Sequence, residues 1–213
     1  MNKQDFLNRF ILQQPISAEP NHLLSSNVIN PSNIKQLSKL SYSNEREKSP
    51  LKKAAVFMPL VQRKNGLHMI FTQRALHLRH HPGQVSFPGG RFEASDLTLA
   101  NTALRETEEE IGIQKKSTEI IGKLAPIITT SGYHVTPFIG FIHHSASIII
   151  DHNEVKECFE VPFSFLLKKE SFSKHYFTGN KKRHFTYCCI YKNQLIWGAT
   201  AQMLMSLQFQ VSI

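Results

Sequence analysis

Arg105-Glu106-Thr107-Glu108-Glu109-Glu110-Ile111-Gly112-Ile113 is the stretch on which the fold turns. It sets four carboxylates and one guanidinium into less than two turns of helix. Glu106, Glu109 and Glu110 stand at i, i+3 and i+4, so they share one face. Gly112 reads as the residue past the helix end, where a left-handed turn is needed. The acids therefore crowd the final turns, where the helix dipole is negative and disfavours anions. Like charges so spaced cost roughly 0.2–0.5 kcal/mol per pair even in solvent. A helix built for stability alone would avoid them. A hard divalent cation, Mg2+ or Mn2+, would remove the repulsion, because such ions take clustered oxygen ligands. The run by itself admits two readings, a metal site or an acidic face turned to solvent.

Working outward, Asp96 is placed to cap a helix running from about Leu97 to Ile111. Gly89-Gly90 precedes it by one short loop; adjacent glycines let backbone approach a ligand closely. Upstream, Ala54 to Val61 is a buried-strand pattern, Lys64-Asn65-Gly66 a hairpin turn, and Leu67 to Thr72 the return strand. Arg74 to Arg91 forms a long connection. Further strands are expected at Glu119–Leu124, Val135–Ile142, Glu157–Val161, His175–Phe177, His184–Tyr191 and Leu195–Trp197. Pro162 to Lys168 reads as a short helix, and Ala199 to Phe209 as a longer one. Strands around one long helix, closed by another, give an α+β class with a mixed sheet covered by helices.

Residues 1–50 read as an N-terminal tail with short helices, and 51–213 as the folded domain. In the tail, Phe6, Phe10 and Ile11 fit a docking helix, while one Asp and few basic residues argue against a transit peptide. Residues 12 to about 50 are polar, with a helix expected near Pro31 to Leu40. The chain of 213 residues is 41% hydrophobic and 19% charged, which suits one globular domain. Its net charge of +9 suits a polyanionic partner: nucleic acid, an acidic membrane or a phosphorylated small molecule. Three cysteines, 158, 188 and 189, make neither a disulfide framework nor a zinc spacing. That points to a reducing, cytoplasmic compartment. No apolar run approaches ~20 residues, so no membrane span is expected.

With these residues in view, the chain resembles the Nudix hydrolase family, whose signature is G-x5-E-x7-R-E-U-x-E-E-x-G-U, U being aliphatic. Arg105-Glu106, Glu109-Glu110 and Gly112-Ile113 fit it. Thr107 stands at an aliphatic position, and the Gly90 to Arg105 interval is one residue longer, leaving Asp96 at the upstream acid. That lengthened box is similar to the coenzyme A pyrophosphatase branch, which carries L-L-T-x-R-S/A-x3-R-x3-G-x3-F-P-G-G. Here Ile70-Phe71-Thr72-Gln73-Arg74-Ala75, Arg79, Gly83 and Phe87-Pro88-Gly89-Gly90 keep every spacing. Ser131 to Pro137, Glu154-Val155, Phe159 to Pro162 and Trp197 to Ala201 also resemble the branch.

The resemblance implies a Nudix fold, an α/β/α sandwich, and Mg2+- or Mn2+-dependent cleavage of coenzyme A, its thioesters or oxidised forms. The products would be 3′,5′-ADP and 4′-phosphopantetheine. It makes Glu106 and Glu110 the main metal ligands. Glu109 becomes a further ligand or an aid to deprotonating water, and Arg105 a partner that fixes one of these acids. Glu154 is a candidate general base, or else a surface acid. Arg74 and Arg79 suit the substrate's phosphates, since guanidinium is a bidentate phosphate donor. His81, with His80, suits a loop or substrate role, and Gly89 and Gly90 line the phosphate pocket. Phe87 reads as a packing anchor, and Lys181-Lys182-Arg183 as a solvated loop. Alternatives are another Nudix substrate (NADH, ADP-ribose or capped RNA) or an inactive basic RNA-binding protein. Nucleic acid is the less favoured partner, because no aromatic-rich RNA motif is evident, and homodimerisation stays open.

Overall fold

The computed structural model describes residues 1–12, 51–179 and 182–211. The helix expected near Pro31 to Leu40 lies outside the described residues, as does Lys181. Strand β1 (Lys52–Arg63) turns through residues 64–65 into β2 (Gly66–Arg74), in the register Arg63↔Gly66. Two short strands, β3 (Val85–Ser86) and β4 (Gly89–Arg91), occupy the long connection that sequence left unstructured. A 3-10 turn at Ala94–Asp96 leads into α2 (Leu99–Ile111), the acidic helix. Strands β5 (Thr118–Lys123), β6 (Ile127–Ile128), β7 (Tyr133–Ile142) and β8 (Val155–Pro162) follow. The short α3 (Phe163–Leu166) leads to β9 (Phe172–Gly179), β10 (Lys182–Tyr191) and β11 (Gln194–Trp197). Helix α4 (Gly198–Val211) closes the chain, and α1 (Lys3–Leu12) opens it.

The main sheet has the order β3-β2-β1-β7-β5, with β4 on β1, β6 on β7 and β8 on β2. The β1–β7 pair is parallel and its neighbours are antiparallel, so the sheet is mixed. A second sheet runs β11-β10-β9.

Strand β1 is apolar on both sides because both sides are covered. Ala55, Phe57 and Val61 pack with Ala103 and Ile111 of α2. Met58 and Leu60 pack in the opposite layer with Phe6 of α1, Phe163 of α3 and Leu204 and Leu207 of α4. This is an α/β/α sandwich. Helix α1 is stapled to the sheet by Lys3–Glu119 at 2.7 Å, and Phe6 and Phe10 stack at 5.5 Å. No helix among the described residues is long and apolar enough to cross a membrane.

Candidate active site

The cap of α2 differs from expectation. Thr98, not Asp96, is the N-cap, its hydroxyl accepting from Asn101 N at 3.1 Å. The helix accordingly starts at Leu99. Asp96 ends the preceding turn, where its carboxylate accepts from Glu93 N (2.9 Å) and the Thr102 hydroxyl (2.8 Å). Thr107 is fully buried where an aliphatic residue was expected. Its hydroxyl donates to Ala103 O at 2.6 Å, so the extra polar group is satisfied within the helix. Gly112 adopts φ 70°, the left-handed cap, and donates to Glu108 O.

Helix geometry brings Glu106 and Glu110 onto one face, and Glu154 joins them from the start of β8. Carboxylate oxygens of Glu106, Glu110 and Glu154 all lie within 4.8 Å of one another. Glu110 is 3% exposed, Glu106 half-buried and Glu154 exposed. Backbone bonds explain how a distant residue arrives there. Ile149 N donates to Ile111 O (2.9 Å) and Asp151 N to Glu110 O (3.0 Å), filling carbonyls that the helix end leaves open. Asp151 O then accepts from Glu154 N (3.1 Å) and Val155 N (2.9 Å), and Ala75 N donates to Glu154 O (2.8 Å). Strand β4 supplies the other wall, where Gly89 N donates to Glu110 Oε1 at 3.4 Å. A Cβ at Gly90 would overlap the Glu106 carboxylate, and one at Gly89 would overlap the β1 backbone. The glycine pair is thus required by close approach on both sides.

Glu109 stands outside the trio. Its carboxylate is turned to Arg105 Nη1 at 2.8 Å and is more than half exposed. Arg105 gathers three acids: Asp96 through Nε at 2.7 Å, Glu106 at 2.9 Å and Glu109. The guanidinium holds the Asp96 carboxyl well below the usual carboxylate range, and Asp96 in turn raises Arg105. Asp96 therefore acts as the anchor of Arg105. Sequence gave this no signal beyond the acid's place in the lengthened box. Glu108 is exposed.

Burial, reinforced by Glu106 and Glu154, pushes Glu110 up to about 8, against the lowering effect of Gly89 N–H and Arg74. Burial also raises Glu106, opposed by Arg105. Three converging carboxylates, one of them buried, form a hard oxygen donor set that suits Mg2+ or Mn2+. Among the described residues, the buried Arg74 Nε has no acceptor and the buried Gln73 Oε1 has no donor. Arg79, His80 and His81 are exposed on the loop between β2 and β3 and do not join the cluster. Phe87 is buried and stacks on Phe71 at 4.9 Å, as a packing anchor should. Cys158 lies close enough to feel Glu110; burial pushes its thiol up to about 12, so it stays protonated.

A family model of the NUDIX domain matches residues 51–178. The Uncharacterized Nudix hydrolase NudL of Yersinia pestis (strain Pestoides F) is 36% identical over 209 residues, covering 98% of this chain and 94% of that protein. The protein of the same name from Yersinia pseudotuberculosis serotype O:1b (strain IP 31758) matches equally. Among solved structures, the M. Smegmatis Nudix hydrolase RenU aligns at TM-score 0.48 and 17% identity, over 57% of this chain and 77% of that one. A C. elegans Ap4A hydrolase binary complex aligns at TM-score 0.45 and 16% identity, over 52% and 80%.

Proposed function

The chain belongs to the NUDIX domain family, and from that premise we propose that it is a coenzyme A pyrophosphatase using Mg2+ or Mn2+. Nudix hydrolases act on pyrophosphate bonds of nucleoside diphosphate derivatives, so the reaction class comes with the family. The observation that carries the reading is the convergence of Glu106, Glu110 and Glu154 beside Gly89-Gly90. The choice of coenzyme A rests on the motif from Ile70 to Gly90, whose spacings are intact in this chain.

Held by Glu106, Glu110 and Glu154, the ion would neutralise phosphate oxygens and make a bound water more acidic. The chain's own groups supply the rest. Water adds to one phosphorus of the pyrophosphate; the bridging P–O bond breaks and its electron pair leaves with the other phosphate. Glu154, the member of the trio open to solvent, accepts the water's proton. Gly89 N–H, through its bond to Glu110 Oε1, holds that carboxylate in the trio. Arg74, whose buried Nε has no acceptor among the described residues, takes a phosphate oxygen of the substrate. Arg79 and His81 meet the outer phosphates from their exposed loop. Arg105, fixed by Asp96, orients Glu106, and Glu109 completes the shell around Arg105. The free cysteines agree with a cytoplasmic setting.

The test is incubation with coenzyme A and Mn2+, with 3′,5′-ADP as the expected product. NADH and ADP-ribose run in parallel, and a preference for either over coenzyme A overturns the choice of substrate.

A further inference from the structure

Glu154 reaches the acidic trio from a tight turn, so its aim depends on what fixes the two peptide units around its Cα. Each unit is held at both polar ends. In the unit before Glu154, Glu154 N donates to Asp151 O at 3.1 Å, and Asn153 O accepts from His77 Nε2 at 3.0 Å. In the unit after it, Val155 N donates to Asp151 O at 2.9 Å, and Glu154 O accepts from Ala75 N at 2.8 Å. Three of these four bonds join main chain to main chain. The fourth comes from an imidazole 76 residues from the carbonyl it meets. A carbonyl can only accept, so His77 Nε2 carries the proton, and the neutral and the charged ring can both supply it.

The ring is presented by a loop that is itself closed. Between β2 and β3, Arg74 N donates to Gln84 O (3.0 Å), Gly83 N to Arg74 O (3.2 Å) and Gln73 Nε2 to Gly83 O (3.1 Å). Gly83 takes φ 70°, and a Cβ there would lie 3.0 Å from Leu76 Cδ2, so the two arms of the loop lie against each other. His77 follows Leu76 directly and so projects from a braced arm. On the other side, Asp151 N donates to Glu110 O at 3.0 Å, which ties the same turn to α2. The turn is clamped between the helix that carries two of the acids and the loop that carries Arg79.

We infer that His77 is a positioning residue for Glu154: its Nε2–H holds the Asn153–Glu154 peptide and thereby aims the Glu154 carboxylate at Glu106 and Glu110. The inference rests on the proposed place of Glu154 in the ion's shell. Without the imidazole, Asn153 O turns to water and the 153–154 peptide is free to rotate. The bond is exposed, so its loss should weaken ion binding severalfold and leave the fold standing.

Titration calorimetry of the full chain with Mn2+ tests this without any substrate. His77→Ala should bind Mn2+ about fivefold more weakly, roughly what one hydrogen bond supplies, with Tm within about 4 °C of wild type. His77→Gln carries an amide N–H at similar reach and should restore wild-type affinity. Glu154→Gln should weaken Mn2+ binding by itself, and His77→Ala added to it should weaken it no further, since both act through one carboxylate. Additive losses overturn the inference. So does wild-type affinity in His77→Ala, or a His77→Gln as weak as His77→Ala. Wild-type affinity in Glu154→Gln overturns the place of Glu154 in the shell, and the inference with it.

Discussion

Replacing Glu110 by Gln offers the sharpest test of the acidic cluster, because the reasoning fixes both a sign and a pH dependence. The Glu110 carboxyl has its ordinary value of 4.5 in the unfolded chain and about 8 in the fold. A raised folded value means that the native state prefers the protonated form. The metal-free protein is therefore unpenalised below pH 4.5 and loses stability as pH climbs toward 8. At about 1.4 kcal/mol per unit, ionisation costs on the order of 4 kcal/mol at pH 8 and under about 1 kcal/mol at pH 5. Glutamine removes that cost. Its carbonyl still accepts from Gly89 N, while its amide N–H groups have no acceptor provided for them, costing about 1 kcal/mol. The net gain near pH 8 is on the order of 3 kcal/mol, which raises Tm by roughly 6–12 °C in a chain of this size. At pH 5 the two proteins should melt together, or the variant slightly lower. Melts by circular dichroism in EDTA at pH 5 and pH 8 measure this directly. Millimolar Mn2+ should then reverse the order at pH 8, since only the wild type gains binding energy. A variant that melts below wild type at pH 8 without metal, or a difference that ignores pH, refutes the cluster as a source of strain.

Two further substitutions probe how the cluster is held. Gly90→Ala places a methyl where the Glu106 carboxylate lies; the flexible acid should swing away, leaving Tm within about 4 °C but weakening Mn2+ binding 10–100-fold by titration calorimetry. Unchanged Mn2+ affinity would place Glu106 outside the ion's shell. Asp151→Ala removes the acceptor of Asn153 N and Nδ2, both at 2.9 Å, and loosens the turn that carries Glu154. Mn2+ affinity should fall about tenfold for a stability loss of about 1 kcal/mol, and equal affinity would show that Glu154 is not positioned by this turn.

Sequence revealed most where structure is local. Helix periodicity put Glu106 and Glu110 on one face, and Gly112 announced the left-handed cap, because each depends on spacing within a turn or two. The β1–β2 hairpin was legible through Lys64-Asn65-Gly66, and the chain turns through residues 64–65. Strand β4 was not, since three residues containing Gly89-Gly90 carry no strand pattern; only pairing with β1 makes them one. The cap was misassigned for a related reason. Asp96 and Thr98 are both good cap residues, and the choice between them was made by Arg105, nine residues on, which claims the Asp96 carboxylate. The approach of Glu154 to the helix was hidden altogether. It depends on main-chain donors at Ile149 and Asp151, and main-chain groups are the same at every position.

Those hidden contacts also explain how the fold tolerates its own acids. Clustered carboxylates at the negative end of a helix would ordinarily relax by fraying the last turn. Here that turn is closed three times, by Gly112 N on Glu108 O, Asp151 N on Glu110 O and Ile149 N on Ile111 O. Its far side is held by the Asp96–Arg105 pair, which also draws one oxygen of Glu106. Repulsion therefore cannot easily be released by moving backbone, and it adds to burial in favouring the protonated form of Glu110. The helix dipole that disfavours these acids attracts a cation to the same place. A divalent ion entering the trio would displace that proton, meet ligands already converged, and lose little free energy to ordering them.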